Sequence, residues 1–287
     1  MNFIKFKLSC CLQALLLLFP SVSVLSQPNN KIFNTEFNVI NLCADSIKKS
    51  NSDSIKQKLN NIIESTLIFI LKDARSYKIN LDTLKHIGKV YSTDNKFRMI
   101  SWNIPLNDGT HNFDAIIQMN PEKDSFCTLF PLMDSSRNYL NSISNLNFTA
   151  EKWYGALYYE ILNCKIDKKV VYVLLGMHFN DLFTNRKIIE SMYFNEKGQP
   201  VFGFPIFQYN EKIYNRIVFD YSVNAVMNLK YEKQLKMIIF DHLSPPSPLY
   251  AGNYKYYGPD FSFDGFKFEK DKWLYHSNVD FRKARKK

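Results

Sequence analysis

Four polar residues near the C-terminal end are the best placed to do chemistry. Asp241 and His242 are adjacent, and Asp260 and Asp264 follow close behind. A carboxylate that orients an imidazole makes it a usable general base, which a hydrolase acting on a polymer needs. Strand geometry works against Asp241 as that carboxylate, because neighbouring strand residues point to opposite faces. The pair also sits at a strand end, before Ser244-Pro245-Pro246-Ser247-Pro248, where capping a turn is the competing role.

Asp260, Ser262, Asp264 and Asp271 fall at positions one, three, five and twelve of a calcium-loop spacing. The last ligand is Asp rather than the longer Glu, and Phe261, Phe263, Phe266 and Phe268 suit a strand, not paired helices. A hairpin with a bulge at Gly265 accounts for the segment better. His178 and Asp181 follow an apolar strand with Cys164 across the hairpin, where an imidazole could activate a thiolate. A core cysteine is the simpler reading. Trp102, Trp153 and Trp273, backed by many tyrosines, offer either a stacking platform for sugars or core filling. The chain has no glycine-rich phosphate loop, no Gly-x-Ser-x-Gly elbow, no His-Glu-x-x-His and no Cys/His metal spacing, so no cofactor is expected.

The elements that must position these residues are legible in outline. Residues 1–26 run from Lys5 and Lys7 through an apolar stretch, Cys10 to Phe19, to Val24-Leu25-Ser26, which is the order of a secretory leader cleaved near Ser26. Its apolar run is too short to span a bilayer. Residues 27–88 read as a helical segment. Ser54 caps a helix whose Ile55, Leu59, Ile62, Ile63, Thr66, Leu67, Ile70 and Leu71 recur at three- and four-residue steps. Asn80 caps a second, short helix over Leu81 to His86.

From residue 89 to 281 the period is two. Asn107-Asp108-Gly109 joins one hairpin, Asp167-Lys168-Lys169 a second, and Glu196 to Gln199 a third that pairs Lys187–Phe194 with Pro200–Phe207. Short turns connect antiparallel neighbours only. The expected fold is therefore α+β, mainly β: a large antiparallel meander of about a dozen strands carrying an N-terminal amphipathic helical segment. With 24 Phe, 17 Tyr and 3 Trp, its core is built largely from rings. Past the leader, Cys43, Cys127 and Cys164 remain, an odd set that forms no disulfide framework and is expected buried and reduced.

The formal charge of +10 is concentrated at the ends, with two lysines in the leader and five basic residues in the tail, 282–287. That tail could touch anionic lipid or lipopolysaccharide, or simply be a solvated end. No basic stripe with interleaved aromatics is present, so nucleic acid is not an expected partner.

Lys96-Phe97-Arg98, Ser101-Trp102-Asn103, Asp108-Gly109-Thr110 and Trp153 to Tyr159 are distinctive segments, as are Pro200-Val201-Phe202-Gly203, Phe240-Asp241-His242-Leu243 and Tyr257-Gly258-Pro259-Asp260. Through them the chain after residue 90 resembles a family of secreted proteins of Bacteroidota that carries no known activity. The resemblance implies an envelope location, and makes Ser46, Ser54 and Thr83, in Asp-Ser-Ile and Asp-Thr-Leu tripeptides, similar to O-glycan acceptors of that phylum. It supplies no catalytic residues. Two functions follow as expectations. The first is a secreted or periplasmic envelope component that binds glycans or other envelope proteins without catalysis. The second is a carboxylate- and histidine-dependent hydrolase of envelope polymers. A concave pocket where His242, Asp241 and another acid converge favours the enzyme, and a flat sheet with exposed Trp and Tyr favours the binder.

Overall fold

The computed structural model describes residues 32–139 and 142–280. The expected leader and the basic tail lie outside the described residues. The described chain opens with α1 (Asn34–Lys49), which buries Phe37, Ile40, Cys43, Ala44 and Ile47 along one stripe. α2 (Asp53–Lys72) buries Ile63, Leu67, Ile70 and Leu71. Its cap is Ser52, not the expected Ser54: the Ser52 hydroxyl accepts from the Ile55 N–H. The short helix expected over Leu81 to His86 does not form. Asn80 instead accepts the Asp82 N–H at 2.8 Å, and that local bond holds the backbone in a turn.

The strands fall into three sheets. The first contains β1 (Gly88–Tyr91), β2 (Phe97–Pro105), β3 (His111–Met119) and β4 (Leu129–Met133), in that order. The second has the order β5 (Phe148–Thr149), β9 (Pro200–Phe202), β8 (Thr184–Phe194), β7 (Lys169–Phe179), β6 (Leu157–Ile166), and β12 (Arg216–Ser222) also pairs with β8. The third runs β11 (Lys212–Tyr214), β10 (Phe207–Tyr209), β16 (Lys272–His276), β15 (Gly258–Glu269), β14 (Met237–Ser244), β13 (Leu229–Glu232).

The mainly β class, antiparallel pairing and N-terminal helices agree with the sequence reading. Two details differ. Phe207, expected to continue the hairpin with β8, starts β10 in the third sheet, and β10 pairs with β16 in parallel, Phe207 opposite Trp273. Tyr254–Tyr256, within the stretch of period two, is a 3-10 turn.

Packing follows from alternation along the strands. On β2, Ile100, Trp102 and Ile104 face the helices, while Phe97 and Met99 face the second sheet. On β7, Tyr172 and Leu174 face the first sheet, while Val171, Val173 and Leu175 face the third. The result is four layers, helices and then three sheets, with the two middle layers buried on both faces.

Two polar pairs inside these layers tie their elements together. Glu190 on β8 and Arg216 on β12 lie opposite each other with wholly inaccessible side chains. Arg216 Nε donates to Glu190 Oε1 at 2.7 Å, and Nη1 donates to the carbonyls of Ile143 and, at 2.9 Å, Leu146. This pair thereby ties the segment that follows residue 142 to the second sheet. Nearer the helices, Asn60 accepts from Trp102 Nε1 at 2.7 Å and donates to Asp114 Oδ2 at 3.1 Å.

Burial, reinforced by Glu64 and Asp134, pushes the Asp114 carboxyl up to about 7 despite the Asn60 bond. The folded state therefore holds this proton more tightly than the unfolded chain. Its contribution to stability is complete below the ordinary value of 3.8 and is lost as pH rises through about 7. Asp114→Asn should remove that fall: the stability difference between variant and wild type should grow in the variant's favour from pH ~4 to ~7 and then level off. Urea melts across this range check it, and a pH-independent difference would show that Asp114 ionises normally in the fold.

Candidate functional site

Chemistry-bearing side chains converge where β14 meets β15. Asp241 pairs with Phe263 but Leu243 pairs with Pro259, so β15 advances four residues while β14 advances two. The surplus is a bulge at Asp260-Phe261-Ser262. Phe261 at its centre takes the left-handed φ of +71°, uncommon for a residue with a ring, and is 94% exposed. Bulges re-aim side chains, and this one brings Asp260 and Asp264 to the same imidazole.

His242 Nδ1 lies 2.7 Å from Asp264 Oδ2, and its Nε2 lies 4.0 Å from Asp260 Oδ2. Asp264 is almost wholly buried and accepts two further bonds, from the Tyr275 hydroxyl at 2.8 Å and the Asn278 N–H at 3.1 Å. Three donors thus converge on one carboxylate. A carboxylate holding those donors acts as an acceptor toward the imidazole, which places a hydrogen on Nδ1. Burial and then the adjacent Asp264 push the Tyr275 phenol well above its ordinary value, so it stays a donor. The His242 side chain is 45% exposed. The acid behind the imidazole is Asp264, not its sequence neighbour: Asp241 turns away and accepts from the Asn228 N–H at 2.7 Å and amide at 3.0 Å.

The imidazole borders a cavity of about 410 Å³ walled by Tyr209, Ile217, Phe219, Phe240 and Tyr275, with Ser142 and Ser144 on one side. Tyr209 and Tyr275 meet edge to face, with ring centres 4.5 Å apart. A smaller cavity of about 360 Å³ shares Ser142 and Ser144 with the first. It also touches Arg186, which lines a further cavity of about 410 Å³ around His178. The three form a run, and the segment that Arg216 holds borders the first two. An oriented imidazole at a ring-walled cavity can accept a hydrogen bond from a ligand hydroxyl or take a proton from a bound water.

The other candidate sites take the structural roles the sequence favoured. The three tryptophans form no platform, because aromatic bulk at doubly buried sheet positions is core: Trp102 and Trp273 are each 3% exposed and Trp153 is sealed. The calcium set is not a loop. Asp260, Ser262 and Asp264 lie along β15, Asp271 sits in the turn beyond its end, and Asp260 is taken by the Ser262 N–H and hydroxyl. Among the described residues no cluster of three or more His, Cys, Asp or Glu is placed to hold a metal. Cys164 does not meet His178. The two face opposite sides of the second sheet, and burial pushes the Cys164 thiol up to about 11, away from thiolate chemistry. Cys43, Cys127 and Cys164 are free and buried. Ser46, Ser54 and Thr83 are all exposed.

Sequence reasoning named His242, Asp260 and Asp264 but missed Tyr275 and Asn278. The signal for Tyr275 was available. The turn at Lys270-Asp271, both residues at positive φ, sets Phe266 opposite Tyr275, which makes Tyr275 the diagonal same-face neighbour of Asp264. Among the described residues no helix is long and apolar enough to cross a membrane. No family model matches the chain, and no curated protein matches it.

Proposed function

We propose that this chain is an exported cell-envelope protein that binds a saccharide in the cavity beside His242. One observation carries the reading: Asp264, accepting from three donors, fixes the His242 imidazole at the edge of a cavity walled by tyrosine and phenylalanine rings. Ring faces receive the C–H face of a sugar, and the imidazole at the cavity edge receives a hydroxyl. The leader-like order of residues 1–26 supports export, and the resemblance to secreted Bacteroidota proteins supports the envelope. A second reading rests on the same pair: His242, oriented by Asp264, acts as general base toward a water on an envelope polymer.

Saturation-transfer NMR on the exported protein, with glucose, N-acetylglucosamine and maltose as probes, tests the first reading. Transfer from aromatic protons to at least one sugar is expected, with about tenfold weaker binding in His242→Ala. Absence of transfer from all three, or equal binding by the variant, overturns it. The second reading requires turnover of a chromogenic glycoside that disappears in both His242→Ala and Asp264→Asn.

A further inference from the structure

Among the described residues, His178, Ser101 and Trp273 have buried side-chain polar atoms without a hydrogen-bond partner, and of the three only His178 lines a cavity. It is 6% exposed and sits between the rings of Phe113, 4.5 Å away, and Tyr154, 5.3 Å away. Neither ring nitrogen has a hydrogen-bond partner. Burial, then Arg186 and His111, push its pKa down to about 3, so at neutral pH it is an uncharged ring with one N–H and one lone pair. Leaving both unmet inside a fold costs free energy, and such groups ordinarily have a partner.

His178 lines the third cavity of the run described above. On its rim stands Arg137, half-exposed, its guanidinium steadied by the Thr110 hydroxyl and by Asp108 at 3.8 Å. Among the described residues the structure records no hydrogen bond for the other N–H groups of that fork, and a carboxylate is the acceptor that matches it. Arg186, deeper in, is committed to Asp220 through bonds of 2.6 and 2.8 Å. Asp181 has one oxygen filled by the Phe183 and Thr184 N–H groups and the Thr184 hydroxyl, and the other takes only the Asn180 amide at 3.3 Å. The site therefore asks for one carboxylate at the rim and for hydroxyls, each both donor and acceptor, deeper in.

We propose that this cavity is a second binding site, specific for a polyhydroxylated carboxylic acid of the uronic-acid class, with the carboxylate on Arg137 and a hydroxyl on His178. The proposal shares no residue with the His242 site and stands if that site binds nothing.

Glucuronate is the probe, with glucose supplying hydroxyls alone and acetate the carboxylate alone. Titration of the exported protein is followed by NMR at the His178 ring and Arg137 Nε signals. Glucuronate should shift both and saturate, binding about tenfold tighter than glucose or acetate. Arg137→Gln should erase the preference for glucuronate over glucose. His178→Phe, which keeps the ring stack and deletes the nitrogens, should weaken glucuronate about tenfold. If His178→Phe does not fold, Arg137→Gln decides alone, its residue being half-exposed. Acetate binding as well as glucuronate would reduce the site to an anion contact, and glucose binding as well would remove the role of Arg137; either overturns the proposal. So do silent His178 signals, or unchanged affinity in Arg137→Gln, because an internal water then suffices for His178.

Discussion

Glu190→Ala should lower the melting temperature by roughly 10 °C or more, the largest fall expected from any single polar substitution in this chain. The reason is the charge left behind. Arg216 is wholly inaccessible and bonded to Glu190 on the facing strand. Removing a partner from a buried pair costs about 3–5 kcal/mol, mostly for the stranded ion. The effect should reach the cavities as well. Arg216 also fastens the carbonyls of Ile143 and Leu146, beside Ser142 and Ser144 in the walls of two cavities. The proposed sugar binding near His242 should therefore weaken in Glu190→Ala even at temperatures where the protein remains folded. A double variant, Glu190→Leu with Arg216→Met, should regain much of the lost stability but not the binding, since apolar side chains replace the charges without refastening the segment. Calorimetry on the three proteins decides the matter. A Glu190→Ala melt within a degree or two of wild type would mean that the pair is not sealed from water.

The second large effect belongs to the helical segment. Leu67→Asp should abolish cooperative folding, although α2 lies far from both cavities in sequence. Leu67 is fully buried and Ile63 nearly so, and they pack with Ile100, Ile104 and Ile116 of the first sheet. A carboxylate there has no partner, and burying it costs several kcal/mol, a large part of the total stability of a domain. Loss of the near-UV dichroism and of a sharp thermal transition is expected for the whole protein. Retention of both would show that the sheets stand without their helical cover.

How far the sequence carries can be traced residue by residue. The stripe of Ile63, Leu67, Ile70 and Leu71 announces α2 because three- and four-residue spacing has one structural meaning. Asn107-Asp108-Gly109 announces the β2–β3 hairpin because Gly109 takes φ +80° there. The unbroken apolar run from Val170 to Leu175 holds a further message, that β7 is buried on both faces, and with it the stacking of three sheets. What does not show is long-range pairing. β10 is three residues long, Phe207 to Tyr209, too few to display any period, and joins β16 through Phe207 and Gln208 alone.

The site was half legible for the same reason. His242, Asp260 and Asp264 stand out by type and closeness, but Asp264 displaces Asp241 as the partner of His242 only because β15 bulges at Phe261, a residue whose chemistry gives no hint of a left-handed backbone. His178 looked like a partner for Cys164 because hairpin spacing puts them close, and the alternation of faces keeps them apart. Arg137 reaches the same cavity from a loop in another part of the chain, and no local pattern marks it.

The parallel contact between β10 and β16 has a consequence for how the chain acquires its shape. Every other strand of the third sheet has a hairpin partner close by in the chain, but the inner edge of β10 must wait for Trp273 and Leu274. Until they arrive, Phe207 and its backbone present an open edge, the kind that recruits strands from other molecules. Closure of this sheet is a late, non-local step, slow by its topology and vulnerable to crowding by like chains. Refolding yield should accordingly fall with protein concentration, and a chaperone that shields strand edges should restore it.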